Sequence, residues 1–154
     1  SKLMTPLARQ AWAPIIQEIA LAWCIGFASA QELDSLGILP ATKLAAMRAL
    51  NSLSSSRITP DPLTPDYLLT DYLVFPDLEL PQTALAKGDR LSWSVAAASV
   101  LAKTARDALM RELDSLYPVY GLARHKGYGT RFHREALRQF GLSEIHRKSF
   151  SISM

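Results

Sequence analysis

Apolar residues along this chain fall into three short runs and several helically spaced stripes. Tyr67 to Phe75 (YLLTDYLVF) is apolar at nearly every position, which predicts a strand buried on both faces. One charge, Asp71, sits in its middle. Ile19 to Ala28 (IALAWCIGFA), with aromatic and β-branched members, predicts a second buried strand. Gln82 to Lys87, ending at Gly88-Asp89, predicts a third. Trp93 to Tyr117 carries Val95, Ala98, Leu101/Ala102, Ala105, Leu109, Leu113 and Leu116 at helical spacing and is stopped by Pro118. Pro40 to Leu53 repeats the pattern at Leu44, Met47, Leu50 and Leu53.

Local signals place the remaining boundaries. Thr5-Pro6 reads as an N-cap followed by proline at the first helical position. Pro14 then removes a donor, and a break or kink is expected there. Ser29 to Glu32 is a capping box opening a short helix that ends near Gly37. Thr130 caps a helix from Arg131 that closes at Gly141. Ser54 to Asp66 holds three prolines and three consecutive serines and reads as a loop within one domain. Strands interleaved with helices give an α/β class with an at least partly parallel sheet. Three strands are few for such a sheet and suggest that part of it lies outside this sequence.

Composition narrows the class. With 154 residues, 49% hydrophobic and 20% charged, the chain is long enough for one domain with its own core. The longest apolar run, Ile19 to Ala30, is too short to span a membrane and is interrupted by Gly26. One cysteine, Cys24, excludes an intramolecular disulfide framework and points to a reducing, cytoplasmic setting. The net charge of +3 is unevenly spread: residues 121–154 carry +5 and all three histidines, and residues 1–120 carry −2. A basic tail on a slightly acidic body suits a polyanionic partner, and equally a solvated basic surface.

Asp71 is the sharpest chemical signal, because a carboxylate in an apolar strand must be paired, hydrogen-bonded or metal-bound. A bond from a neighbouring loop would also account for it. Asp89, after Lys87-Gly88, could converge on Asp71 as half of a hard-cation site, or serve a turn. Asp107, four residues before Arg111, reads as a solvated helix ion pair. His125, His133 and His146 lack zinc-site spacing. The loop HKGYGT (125–130) allows close phosphate approach and stacking by Tyr128, or is simply a tight turn.

These residues resemble a known family. Ser1-Lys2 followed by Leu3, GILPAT (37–42), PDYLLTD (65–71), KGD (87–89), SVAAASVLAKTARDALMREL (94–113), YGLARHKGYGT (120–130) and SEIHRKSF (143–150) together resemble bacterial ribonuclease HII, in the family's order and over essentially the whole chain. The resemblance implies a ribonuclease H-like mixed sheet flanked by helices, incomplete at the N-terminus, with 121–154 as a basic C-terminal helical extension. It implies endonucleolytic hydrolysis of the RNA strand of RNA/DNA hybrids and cleavage 5′ to ribonucleotides embedded in DNA, by two Mn²⁺ or Mg²⁺ ions. Asp71 and Asp89 take the places of two of four metal-binding catalytic carboxylates. Lys2, Lys87, Lys126 and Tyr128 take those of substrate contacts, with Tyr128 packing on the sugar at the RNA–DNA junction.

The family's Asp-Glu pair, with the glycine-rich motif that reads the 2′-hydroxyl, maps onto nothing here and would lie before Ser1. The chain alone is therefore expected to be inactive and poorly folded. Tyr72 stands where the family usually has a small residue, Leu3 and Leu91 where it often has a base, and Pro14 is unusual in the first helix. A cytoplasmic monomer acting away from membranes is implied. The competing reading is a non-catalytic nucleic-acid-binding remnant of the same fold.

Overall fold

The computed structural model describes residues 3–54 and 64–149. Lys2 and most of the proline-rich loop lie outside them. In chain order the elements are α1 (Pro6–Ile19), α2 (Ala30–Leu36), α3 (Ile38–Ser54), β1 (Leu68–Asp71), β2 (Gln82–Leu85), α4 (Gly88–Leu91), α5 (Trp93–Leu116), a 3₁₀ turn at Pro118–Tyr120, α6 (Leu122–His125) and α7 (Arg131–Phe140). The chain divides into two compact units. The first comprises the residues up to Phe27 with Thr42–Thr104, and the second Ala28–Ala41 with Ala105 onwards. The α/β class holds, with a parallel β1–β2 pair in register Leu68↔Gln82 through Asp71↔Leu85.

The expected caps form. The Thr5 hydroxyl accepts from the Ala8 amide at 3.1 Å. Ser29 and Glu32 close their capping box in both directions. Thr130 accepts from the His133 amide. The break expected at Pro14 does not occur, and α1 runs through it to Ile19. Pro14 and Gln10 both lie on the exposed side, where water can take the Gln10 carbonyl left without its helical donor.

Two expected strands change. Ile19 to Ala28 forms no strand; it finishes α1 and continues without regular structure. Its backbone instead presses on α3 within the first unit. A Cβ on Gly26 would stand 1.8 Å from the Ala45 carbonyl oxygen, and Arg48 donates to the Phe27 carbonyl at 2.8 Å. The run Tyr67 to Phe75 is not buried on both faces. Only Thr70 of β1 is buried, Leu69 is exposed, and the strand stops at Asp71. It stops because Tyr72 has φ +70°, a conformation no strand accommodates. Beyond it, the Gln82 side chain imitates a strand, accepting from the Phe75 amide and donating to the Phe75 carbonyl, both at 2.8 Å.

The long helix forms as expected, but its buried positions are Val95, Val100, Leu101, Asp107 and Met110. Ala98, Ala102 and Leu116, assigned to the apolar face, are not among them, and Ala102 and Leu116 are exposed. The boundary between the units falls inside α5, so one continuous stripe does not serve both halves. Asp107 is buried on the Met110 face and not solvated as expected.

In the second unit Tyr120, Leu122 and Ala136 form the core, with Leu113, Tyr117, Leu137 and Ile145 packed around it. The Tyr120 hydroxyl donates to the Gly141 carbonyl at 3.0 Å. The Asp34 carboxylate of α2 accepts from the amides of Lys148 and Ser149 at 2.7 and 2.9 Å and from the Ser149 hydroxyl at 2.6 Å. These bonds, the hydroxyl's first, hold the Asp34 carboxyl below its ordinary range.

The close approach at Gly26 yields a prediction. Gly26→Ala should lower the unfolding free energy by about 1–3 kcal/mol, as overpacking against a rigid helix backbone does. Urea titration measures this, and an unchanged midpoint would show that the segment does not lie on α3.

Candidate active site

β1 and β2 run parallel, so both deliver their carboxyl ends to one edge. Asp71 is the last residue of β1, and the segment after β2 turns at Lys87 into α4, whose first turn holds Asp89. The Asp71 Oδ1 accepts the Gly88 N–H at 2.9 Å. A carboxylate accepting a backbone amide makes a stronger bond than a neutral acceptor would. Two chain segments 17 residues apart in sequence are thereby tied, and Asp89 follows directly in the chain.

The space around residue 88 favours glycine. Gly88 is buried, and a Cβ there would lie 3.1 Å from Val95 Cγ1 and 3.2 Å from both the Thr70 carbonyl oxygen and Leu85 Cβ. Two of those neighbours belong to the paired strands, which have little room to yield. Both strands leave the edge through a residue with positive φ: Tyr72 at +70° after Asp71, and Lys87 at +59° before Gly88. Such conformations cost free energy in non-glycine residues and concentrate at functional sites.

Asp71 is an exposed strand terminus, not a charge buried in mid-strand. Its bond comes from a neighbouring loop, as one of the two sequence readings held. Asp89 is half-buried and Lys87 exposed.

Lys126 and Tyr128 belong to the second unit. Lys126 (φ +54°) and Gly127 (φ +84°) make a double left-handed turn. The Lys126 ammonium donates to the Ala123 carbonyl and the residue is half-buried. Tyr128 is 64% exposed, while its amide donates to the His125 carbonyl at 2.9 Å.

The sequence reading missed a convergence of all three histidines. His125 and His133 stack at 4.2 Å between ring centroids, and His133 Nε2 lies 3.3 Å from His146 Nε2. Spacings of eight and thirteen residues gave no signal, because they fit no common ligand pattern. Burial pushes the His133 and His146 imidazoles below their ordinary pKa, and for His146 the nearby His133 adds to it. Among the described residues no group of three or more His, Cys, Asp and Glu is arranged to hold a metal ion.

Comparison with solved structures shows the class. The crystal structure of ribonuclease H2 from Pyrococcus horikoshii OT3 matches 97% of this chain and 75% of its own, with TM-score 0.66 and 23% identity. This is the ribonuclease H2 fold. Sequence comparison is more specific. The sequence profile of ribonuclease HII matches residues 1–153. A ribonuclease HII of Thermus thermophilus is 53% identical over 151 residues, covering 98% of this chain and 70% of that protein. That of Moorella thermoacetica is 47% identical, covering 97% and 69%. The chain belongs to the ribonuclease HII family, the type 2 ribonucleases H that cut RNA–DNA hybrids.

The family depends on divalent metal ions. Asp71 and Asp89 fit that requirement in kind. Both carry hard oxygen donors, Asp71 at the end of β1 and Asp89 in the turn that follows β2, and a magnesium-like ion takes one or two carboxylates with water and phosphate oxygens.

The positive φ at Tyr72 can be tested by substitution. Tyr72→Gly should raise the unfolding free energy by about 1 kcal/mol, since glycine adopts positive φ without strain and the exposed ring gives up little packing. A lower midpoint in urea would mean that the ring itself holds the turn. The histidines set a pH dependence. When unfolded they bind protons near the ordinary value of 6.5, above the folded values of His133 and His146. The unfolded chain therefore carries more protons as pH falls below 6.5, and stability declines there and levels off above it. Denaturation across that range checks this; a His133→Asn/His146→Asn variant should show a flatter curve.

Proposed function

We propose that this chain carries part of the active site of an endoribonuclease that hydrolyses the RNA strand of RNA/DNA hybrids and cuts 5′ to ribonucleotides embedded in DNA, and that residues 1–154 by themselves do not complete that reaction. The observation that carries the proposal is the bond from Gly88 to Asp71, which ties the strand carboxylate to the Lys-Gly-Asp turn. Family membership supports the activity on hybrids.

In this reading Asp71 and Asp89 hold divalent ions, Mn²⁺ or Mg²⁺, at the scissile phosphate. When bound, two such ions activate the attacking water and neutralise charge on the phosphate and the leaving oxygen. Asp71 acts as a ligand and not as a proton shuttle. It keeps Oδ1 on the Gly88 amide, which orients the carboxylate and leaves its outer edge towards solvent. Lys87 and the basic residues of 121–154 contact phosphates, so that binding weakens with salt. Lys126 takes part through the turn that it forms beside Tyr128, and Tyr128 offers its exposed ring to the sugar at the RNA–DNA junction. Lys2, assigned to substrate by resemblance, lies outside the described residues.

Two carboxylates do not balance two divalent cations. Residues 1–154 by themselves are therefore expected to bind metal weakly and not to turn over. The second reading, a nucleic-acid-binding chain without hydrolysis of its own, rests on the same shortfall: Asp71 and Asp89 meet no third metal-ligating side chain among the described residues.

One experiment addresses both. Substoichiometric Mn²⁺ should broaden the amide resonances of Asp71, Gly88 and Asp89 first, and Asp89→Asn should weaken that effect severalfold. Broadening elsewhere would refute the site. Incubation of the same chain with Mn²⁺ and a labelled hybrid should give binding without cleavage. Cleavage abolished by Asp71→Asn would establish that these residues suffice for catalysis.

A further inference from the structure

His133 and His146 of the second unit share a hydrogen bond, His125 stacks on His133, and the direction of the bonds around the three rings fixes the proton on each. The Gly127 amide donates to His125 Nδ1 at 3.2 Å, so the His125 proton is on Nε2, which donates to the Tyr120 carbonyl at 2.7 Å. The Ser143 amide lies 3.2 Å from His146 Nδ1 and its hydroxyl 2.8 Å. An amide can only donate, so the His146 proton is on Nε2, facing His133 Nε2. His133 Nε2 must then accept, which places its proton on Nδ1, and Nδ1 donates to the Tyr128 carbonyl at 3.0 Å. Every ring nitrogen has a partner, and the tautomers follow from the donors around them.

His125 and His133 both reach one loop. Gly127 is held through its amide by His125, and Tyr128 through its carbonyl by His133. The Tyr128 amide is held by the His125 carbonyl, and the Thr130 amide adds a second bond, at 2.8 Å, to the Tyr128 carbonyl. The backbone of Tyr128 is thus fixed on both sides while its ring is the exposed part.

We propose that His125, His133 and His146 are positioning residues that present Tyr128 to the nucleic acid, and that they do so only while all three rings are neutral. This rests on the reading of Tyr128 as the residue that packs on the junction sugar. A second proton on any ring sets donor against donor: His125 Nδ1 against Gly127, His146 Nδ1 against the Ser143 amide, or His133 Nε2 against His146. It also places positive charge against the stacked neighbour.

The charges that oppose protonation of His133 and His146 are those of the neighbouring rings, and both signs of side chain stand around the cluster, with Arg131 and Glu135 beside His125. Arg106 from α5, Arg134 from α7, and Arg147 with Glu144 from the C-terminal segment line the cavity that His133 and His146 share. Arg124 of α6 lies over the Phe132 ring, which in turn lies 6.3 Å from His125. Glu144 is bonded by the Tyr117 hydroxyl. Burial lowers the affinity of His133 and His146 for protons in the same sense.

The sign of the pH effect separates positioning from simple charge. A basic surface gains affinity for a polyanion when its histidines become charged. Here affinity should fall, because the loop that carries Tyr128 loses its anchors.

The test uses the full chain and a DNA duplex containing one ribonucleotide, with binding followed by fluorescence anisotropy without metal. Long-range ¹⁵N correlation should find His133 protonated at Nδ1, and His125 and His146 at Nε2. A different tautomer at His133 overturns this arrangement without any substitution. His133→Leu should weaken binding roughly fivefold, close to the loss from Tyr128→Ala, and the double variant should lose no more than either. His133→Asn, which keeps a donor near the Nδ1 position, should restore most of the affinity. Wild-type affinity should decline as pH falls below 6.5, and affinity that rises instead overturns the proposal. If Tyr128→Ala binds normally, the junction reading of Tyr128 is wrong and this role falls with it. If Tyr128→Ala binds weakly while His133→Leu binds normally, only the histidine proposal fails.

Discussion

The bond between the Asp71 carboxylate and the Gly88 amide is the constraint from which the candidate active site follows. It joins the end of one parallel strand to the turn that leaves the next. The turn donates it from a tightly enclosed position, where a Cβ on residue 88 would stand 3.1–3.2 Å from Val95, Leu85 and the Thr70 carbonyl. Lys87 enters this turn with positive φ, and Tyr72 leaves Asp71 in the same way. The two departures end β1 and β2 abruptly and keep both acidic residues at the carboxyl edge. Remove the bond, and the 2.9 Å link that sets the Lys-Gly-Asp turn against the strand is gone. The strain at Tyr72 and Lys87 is then a local cost of sharp exits from the two strands.

The second unit solves the opposite electrostatic problem. At the sheet edge, charge is kept accessible to solvent. Around the Lys126–Tyr128 loop, burial and mutual proximity lower the proton affinity of His133 and His146, and donors occupy a lone pair on His125 and on His146. The loop gains order from this arrangement because neutral rings can donate on one side and accept on the other. Charged rings only donate.

Much of the local structure was legible in the chain. Thr5, Ser29 and Thr130 cap the helices they announced, and the helical spacing from Val95 to Leu116 announced α5 though not the face it buries. These features depend on neighbours three or four residues away, which a sequence displays directly. The motifs PDYLLTD, KGD and HKGYGT likewise carried the family resemblance, which whole-chain similarity to ribonuclease HII proteins bears out. The readings that failed concern burial and pairing. Ile19 to Ala28 has strand composition, but its backbone lies against α3, where a residue without a side chain fits. Tyr67 to Phe75 is apolar at nearly every position, yet Leu69, Tyr72 and Val74 face solvent. Pro14 forbids one hydrogen bond but not the helix, because the freed carbonyl is on the exposed side.

The sequence by itself determined the helix caps, the basic C-terminal region and the family, and offered Asp71 and Asp89 as candidates, since residue type and short spacing encode them. Tertiary structure alone decided that Asp71 is a strand terminus bonded to Gly88, that Asp107 is buried, and that three widely spaced histidines meet. Hydrogen-bond direction and solvent access are properties of atoms brought together from distant positions. A linear pattern contains the partners but not their meeting.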